Sequence, residues 1–198
     1  SCPVYRYIFR CCGSRRTAIL LQSAYNYEER GMHTMLLKPK LDDRDPKADH
    51  IVSRIGLNAC ADLFCLEMDL EAHIKASHAA RPIDCVLLDE AQFLTPDQVW
   101  QLARVTDYTK IPIMCYGLRT DFKGELFPGS ATLLAIADDV REIRTLCWCG
   151  KKATMTLRFD DSGEAITEGA QVEVGGNEKY ISLCRKHWSE KKTAREVE

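Results

Sequence analysis

The sequence lacks the features that would commit it to a membrane, a polyanion or the cell exterior. None of its apolar runs approaches the roughly 20 residues needed to span a bilayer. Nor does it open with a basic stretch leading into an apolar core and a small-residue cleavage site. Charge of one sign is also lacking, because 27 Lys and Arg face 29 Asp and Glu, for a formal charge of −2 and a pI near 6.2. That balance gives no global attraction to nucleic acid or anionic lipid and favours a small-molecule enzyme. The expectation is a soluble cytoplasmic protein with no membrane partner. Its first residue, Ser1, implies a processed or truncated amino terminus. A length of 198 residues implies one domain, or one domain with a small appendage.

Ten cysteines are present, yet nothing in the sequence places them in an oxidising compartment. Cys85 and Cys115 lie in apolar runs and read as small buried hydrophobes. The first of these runs organises the chain. Cys85-Val86-Leu87-Leu88 shows no polar alternation, as expected of a strand buried on both faces of a parallel sheet. It ends in Asp89 and Glu90, at the strand end where open α/β sheets bind ligands. Thr95-Pro96 already supplies a helix cap and first turn, so capping leaves the acidic pair unexplained and chemistry is the better reading.

Strands are predicted at 4–9, 32–37, 111–117 and from 143, and helices at 17–31, 66–79, 96–106 and 130–138. In the helix at 66–79, Leu66, Leu70 and Ile74 face inward, while His73 and His78 read as surface residues. The polar stretch 45–54 suits a loop over a site. Alternating strands and helices give an α/β fold, a parallel sheet with helices on both faces.

Between the first strand and helix, a phosphate-binding loop would need glycine where backbone wraps phosphate, lysine for the outer phosphates and a hydroxyl for magnesium. The chain has Arg10-Cys11-Cys12-Gly13-Ser14-Arg15-Arg16-Thr17. Thr17 fits the pattern, whereas Arg15 replaces glycine and Arg16 replaces lysine. Near the carboxyl terminus, Cys147-Trp148-Cys149-Gly150 and Cys184-Arg185-Lys186-His187 form a Cys₃His set of the kind that closes a structural zinc site. Lys151, Lys152, Arg185 and Lys186 make a local basic cluster, but the acidic balance and scarce interleaved aromatics disfavour a nucleic-acid module.

These pieces, with Leu20 to Met32, Asp89 to Phe93, Cys115 to Phe122 and Gly175 to Tyr180, resemble the type II thymidine kinases, the cellular and bacterial family, in its enterobacterial-like branch. The resemblance covers nearly the whole chain. It implies an ATP:thymidine 5′-phosphotransferase, with a P-loop-like α/β domain over 1–146, a small zinc-ribbon-like domain over 147–190, a polar tail over 191–198 and a homotetramer. Glu90 would be the base that takes the 5′-hydroxyl proton. Asp89 and Thr17 would hold Mg²⁺. Gln92 would join Arg10, Cys11, Cys12, Gly13, Ser14, Arg15, Arg16 and Thr17 around ATP. Phe122 and Tyr180 would flank the nucleoside, and the backbone of Val172, Glu173, Val174 and Gly175 would read the pyrimidine edge. Asp42 and Arg44 match a pair near the transferred phosphate, and 45–54 corresponds to a lid. Cys147, Cys149, Cys184 and His187 would bind Zn²⁺. Against this pattern, Arg15 and Arg16 motivate the alternative of a weakly active or inactive nucleoside-binding regulatory homologue.

Overall fold

A computed structural model describes residues 4–10, 15–40, 49–53, 56–169, 171 and 179–193. The first half contains β1 (Tyr5–Arg10), α1 (Arg15–Glu28), β2 (Thr34–Pro39), β3 (His50–Val52), β4 (Asn58–Cys60), β5 (Asp62–Phe64), α2 (Leu70–Ala80) and β6 (Cys85–Leu88). A 3₁₀ turn at Ala91–Phe93 leads into α3 (Pro96–Thr109), β7 (Ile113–Leu118), α4 (Pro128–Ile136) and β8 (Asp139–Glu142). Six of these strands form a parallel sheet in the order β5-β2-β6-β7-β1-β8.

The even apolar character of β6 has a direct structural cause. Val86 and Leu88 pack towards α2 and α3 with Leu70, Ile74, Val99 and Leu102. Cys85 and Leu87 point the other way, into a layer with Leu20, Leu21 and Ala24 of α1. All four β6 side chains have zero exposure, so neither face tolerates a polar residue. Thr95 begins α3 with a capping box, its hydroxyl accepting from the Gln98 backbone N–H while the Gln98 side chain accepts from the Thr95 N–H. Asp69 caps α2 in the same manner through the Ala72 N–H.

That cap also corrects the sequence reading of the helix at 66–79. The helix starts only at Leu70, after its Asp69 cap, and Leu66 lies outside it at 63% exposure. His73 and His78 are local, with His73 facing Asp62 and His78 accepting from the Ile83 N–H. The strand expected from 143 lies earlier, as β8, where Tyr7 and Ile8 pair with Val140 and Arg141. Within 45–54, the described residues are ordered in a hairpin, because β3 pairs antiparallel with β4.

A second, antiparallel sheet follows, made of β9 (Met155–Phe159), β10 (Ala165–Ile166) and β11 (Lys179–Leu183) in the order β10-β9-β11. The short helix α5 (Arg185–Ser189) packs against it. Leu157 and Leu183 face a small core with Cys147, Ala153 and Cys184, and the opposite face carries Thr156 and Arg158.

Candidate active site and metal centre

The carboxyl ends of β1, β6 and β7 lie side by side, and β7 is the middle strand of the three. From β6 come Asp89 and Glu90. Asp89 is 5% exposed, and its backbone N–H donates to the Leu37 carbonyl of β2 at 2.9 Å. Glu90 adopts a left-handed conformation, φ 53° and ψ 41°, which is uncommon for a residue with a Cβ and characteristic of functional positions. Its carboxylate lies between the start of α1 and the Gln92 side chain. There Gln92 Nε2 donates to Glu90 Oε2 at 2.5 Å, while Gln92 Oε1 accepts from the Leu118 N–H of β7 at 3.0 Å. Gly117 permits this close approach, since a Cβ there would lie 3.1 Å from the Gln92 backbone nitrogen.

The start of α1 supplies the other half. Thr17 Oγ1 donates to Asp89 Oδ2 at 3.2 Å. Arg16 is 4% exposed, and it turns into the protein and grips the acidic pair. Its Nη2 donates to Glu90 Oε1, and its Nε lies 3.5 Å from Asp89 Oδ1. Burial opposes the charge on Arg16, but Glu90 and Asp89 outweigh it and hold the guanidinium above its ordinary value. Asp89 is displaced upwards, first by burial and then by the Glu90 charge, with Arg16 pulling the other way. Arg16 Nη1 is buried without a hydrogen-bond partner among the described residues.

The structure therefore brings together Arg16, Thr17, Asp89 and Gln92, from the nucleotide set expected from sequence, with Glu90, the expected base. Arg10 is buried at the end of β1 and donates to Thr145 Oγ1, and Arg15 is the first residue of α1. Cys11, Cys12, Gly13 and Ser14 lie outside the described residues, as do Asp42, Arg44, Val172, Glu173, Val174 and Gly175.

Of the two side chains expected to flank a nucleoside, Phe122 is 3% exposed, and the Arg158 guanidinium sits 4.9 Å above its ring. Tyr180 stands opposite Arg158 in the β9–β11 register, which puts both on one face of the small sheet. Next to Phe122, Asp121 Oδ1 accepts from the Lys123 and Glu125 N–H groups. Its Oδ2 accepts from Gln171 Nε2 at 3.0 Å. Trp188 Nε1 donates to both the Phe122 and Thr156 carbonyls, at 3.2 and 2.9 Å. The sequence reading missed Asp121, Arg158, Gln171 and Trp188 as supports of Phe122. Only the buried Arg158 carried a signal, as the one charge inside the run 155–159.

Cys147, Cys149, Cys184 and His187 bring one ligand atom each within 4.8 Å of one another. Three of these separations are Cys147 Sγ to His187 Nδ1 at 3.3 Å, Cys184 Sγ to His187 Nδ1 at 3.5 Å and Cys149 Sγ to Cys184 Sγ at 3.9 Å. A tetrahedral zinc site with ordinary bond lengths has edges of about 3.5 Å between sulfur and nitrogen and about 3.8 Å between sulfurs, so the donor set fits zinc. Burial resists ionisation of Cys147, but the Cys149 and Cys184 N–H groups and the His187 ring prevail and bring its thiol down to about 6. The turn closes through Gly150 at φ +82°, and Trp148 stacks on the His187 ring with centroids 4.0 Å apart. Four protein donors leave no open position for water.

Comparison with known proteins agrees with this geometry. A family model described as thymidine kinase matches residues 7–188. A thymidine kinase of Ruegeria pomeroyi is 58% identical over 175 residues, 88% of each chain. The thymidine kinase of Idiomarina loihiensis is 50% identical over 184 residues, 93% of this chain and 95% of its own. That of Shigella dysenteriae serotype 1 is also 50% identical over 184 residues, 93% of this chain and 89% of its own. A match extending from β1 to α5 takes in both the acidic strand end and the four metal-type ligands, and the chain belongs to the thymidine kinase family.

Proposed function

We propose that this protein is an ATP-dependent thymidine kinase that transfers the γ-phosphate to the 5′-hydroxyl of thymidine. The observation that carries the reading is the convergence of Arg16 and Thr17 from α1 with Asp89 and Glu90 from β6. Phosphoryl transfer asks a protein chiefly for positioning and charge stabilisation, and these residues supply both. Thr17 Oγ1 and the Asp89 carboxylate, 3.2 Å apart, would hold Mg²⁺. When bound, that ion neutralises charge on the transferring phosphate. Glu90, oriented by Gln92, accepts the proton of the attacking hydroxyl.

Arg16 has two roles in this reading. In the nucleotide-free state it neutralises the acidic pair. With ATP present it turns its buried guanidinium to the outer phosphates, which releases Glu90 to act as a base. Arg16 Nη1 supports the second role as a buried donor available for phosphate. Arg15 puts a long side chain where a phosphate loop needs glycine, and a blocked backbone cannot wrap phosphate, so ATP affinity falls below that of an ordinary P-loop kinase. Phe122 and Tyr180 flank the nucleoside, and 172–175 reads the pyrimidine. The division at residue 147, structural zinc at the four ligands, a homotetramer and a cytoplasmic location complete the proposal.

Replacing Glu90 with Gln tests the central role. Turnover in a thymidine phosphorylation assay should fall roughly 10²- to 10⁴-fold, with thymidine still bound. Normal turnover in this variant would remove Glu90 from the mechanism.

A further inference from the structure

A second constellation lies on the β3–β4 hairpin, away from the acidic pair. The register places His50 directly opposite Cys60, so the two side chains leave the same face of the hairpin. Cys60 Sγ is 3.4 Å from His50 Nε2, and His50 Nδ1 is 2.8 Å from Asp49 Oδ1. An ionised carboxylate can only accept. Nδ1 therefore carries a proton, and in the neutral imidazole Nε2 presents its lone pair to the thiol. Hydrogen bonding to His50 is the main cause that holds Asp49 below the usual carboxylate range. This is an ordered thiol–imidazole–carboxylate line, the arrangement that activates a nucleophilic sulfur.

The hairpin is stitched well enough to keep that line in place. The Ala61 N–H donates to the Asp49 carbonyl at 2.7 Å, and the Ser53 N–H donates to the Leu57 carbonyl at 2.8 Å. Ile51 anchors the hairpin in the α1-side core at 2% exposure. Cys60 itself is exposed and opens into a groove of about 640 Å³ shared with His33, Asp62 and Arg81. Among the described residues, the other thiols near the central sheet differ. Burial drives Cys85 up to about 11 and Cys115 up to about 12, which leaves them inert. Cys65 is exposed, but no imidazole bonds its sulfur among the described residues.

We propose that Cys60 is an oxidation site for small hydroperoxides, with His50 as its base and Asp49 holding the imidazole. The sulfur attacks the distal peroxide oxygen, forming an S–O bond as the O–O bond breaks. The thiol proton passes to His50 Nε2 and then to the departing oxygen, which leaves as water or an alcohol. Sulfur is oxidised by two electrons to the sulfenic acid, and the peroxide is reduced by the same two. A groove open to solvent admits a small oxidant, and no metal or cofactor takes part.

The chain carries its own control, since cleavage after Arg54 and Lys75 releases one peptide containing both Cys60 and Cys65. The whole protein is treated with hydrogen peroxide in the presence of a sulfenic-acid trap, and the labelled cysteine is located by fragmentation mass spectrometry. Cys60 should label roughly tenfold or more faster than Cys65. His50→Asn should bring Cys60 down to the Cys65 rate while leaving Cys65 itself unchanged. Asp49→Asn should cause a smaller fall, and a melting temperature within a few degrees of the parent's shows that the hairpin is intact in either variant. Equal labelling of the two cysteines in the parent protein overturns the proposal. So does a Cys60 rate that survives His50→Asn, and a Cys60 rate unchanged in Asp49→Asn removes the carboxylate from it.

Discussion

Removing the Arg16 guanidinium should expose how strongly the acidic pair depends on it. Arg16→Met keeps most of the side-chain volume and deletes the charge, leaving the Asp89 side chain, 7% exposed, and the Glu90 side chain, 29% exposed, adjacent without a cation. Breaking a buried ion pair from one side costs about 3–5 kcal/mol. Glu90 keeps contact with water, so the lower end, about 3 kcal/mol, is the expected loss. For a chain of this size that lowers the melting temperature by about 6–12 °C. The sign of the pH dependence follows from Asp89. Its folded-state affinity for a proton is already raised by burial and Glu90, and Arg16 is the largest cause opposing that rise, ahead of the Glu90 N–H and the Thr17 hydroxyl. Without Arg16 it rises further. Stability from the bound proton is complete below the unfolded value, near pH 4, and is lost as pH climbs through the folded value. The variant should therefore fall furthest behind the parent at neutral pH and recover ground towards pH 4. Millimolar Mg²⁺ should restore part of the loss in the variant and do little for the parent. Thermal unfolding followed by circular dichroism at several pH values checks all three statements. A melting temperature within about 2 °C of the parent's at pH 7, or a deficit that does not change with pH, would refute the charge argument.

Asp89→Asn should raise the melting temperature at pH 7 while depressing magnesium-dependent turnover, because the raised proton affinity marks the charged form as a burden on the fold. The gain should shrink as pH approaches 4, and a stabilisation that grows with acid would contradict it. Arg15→Gly with Arg16→Lys should raise thymidine phosphorylation, and Arg16→Lys alone should do much less. Equal rates for the single and double variants would show that position 15 is not the obstacle. Elemental analysis should find about one zinc per chain, and Cys184→Ser should make residues 147–187 the first to yield to protease. Full protection of that segment in metal-free protein would rule out a structural metal.

What could be read from the sequence, and what could not, follows from local chemistry. The β6 strand was legible because both of its faces are buried and every residue reports the same environment. The clustering of Cys147, Cys149, Cys184 and His187 was legible because two short chelating turns keep fixed spacings whatever the fold around them. By contrast β8, an edge strand whose Val140 is 42% exposed, carries almost no apolar pattern, and the reading slid to the more hydrophobic residues after it. The β3–β4 hairpin was hidden for a similar reason, since among the described residues of 45–54 only Ile51 and Ser53 are buried. The direction taken by Arg16 was beyond any local pattern. A cation at the start of a helix can turn outwards to phosphate or inwards to carboxylate, and only the position of Asp89 and Glu90 across the sheet decides between them.

The indole of Trp188 ties two distant supplies together. It follows His187 directly, and its single N–H is shared between the carbonyl of Phe122 and that of Thr156. An N–H divided in this way depends on the placement of α5, whose cap and first turn carry Cys184 and His187. If the four donors hold zinc as proposed, losing it would loosen Phe122 before it disturbed the contacts of Arg16 with Asp89 and Glu90. On the proposed reading, with zinc at the four donors and Phe122 beside the nucleoside, the deficit would appear as a rising thymidine KM at an almost constant maximal rate.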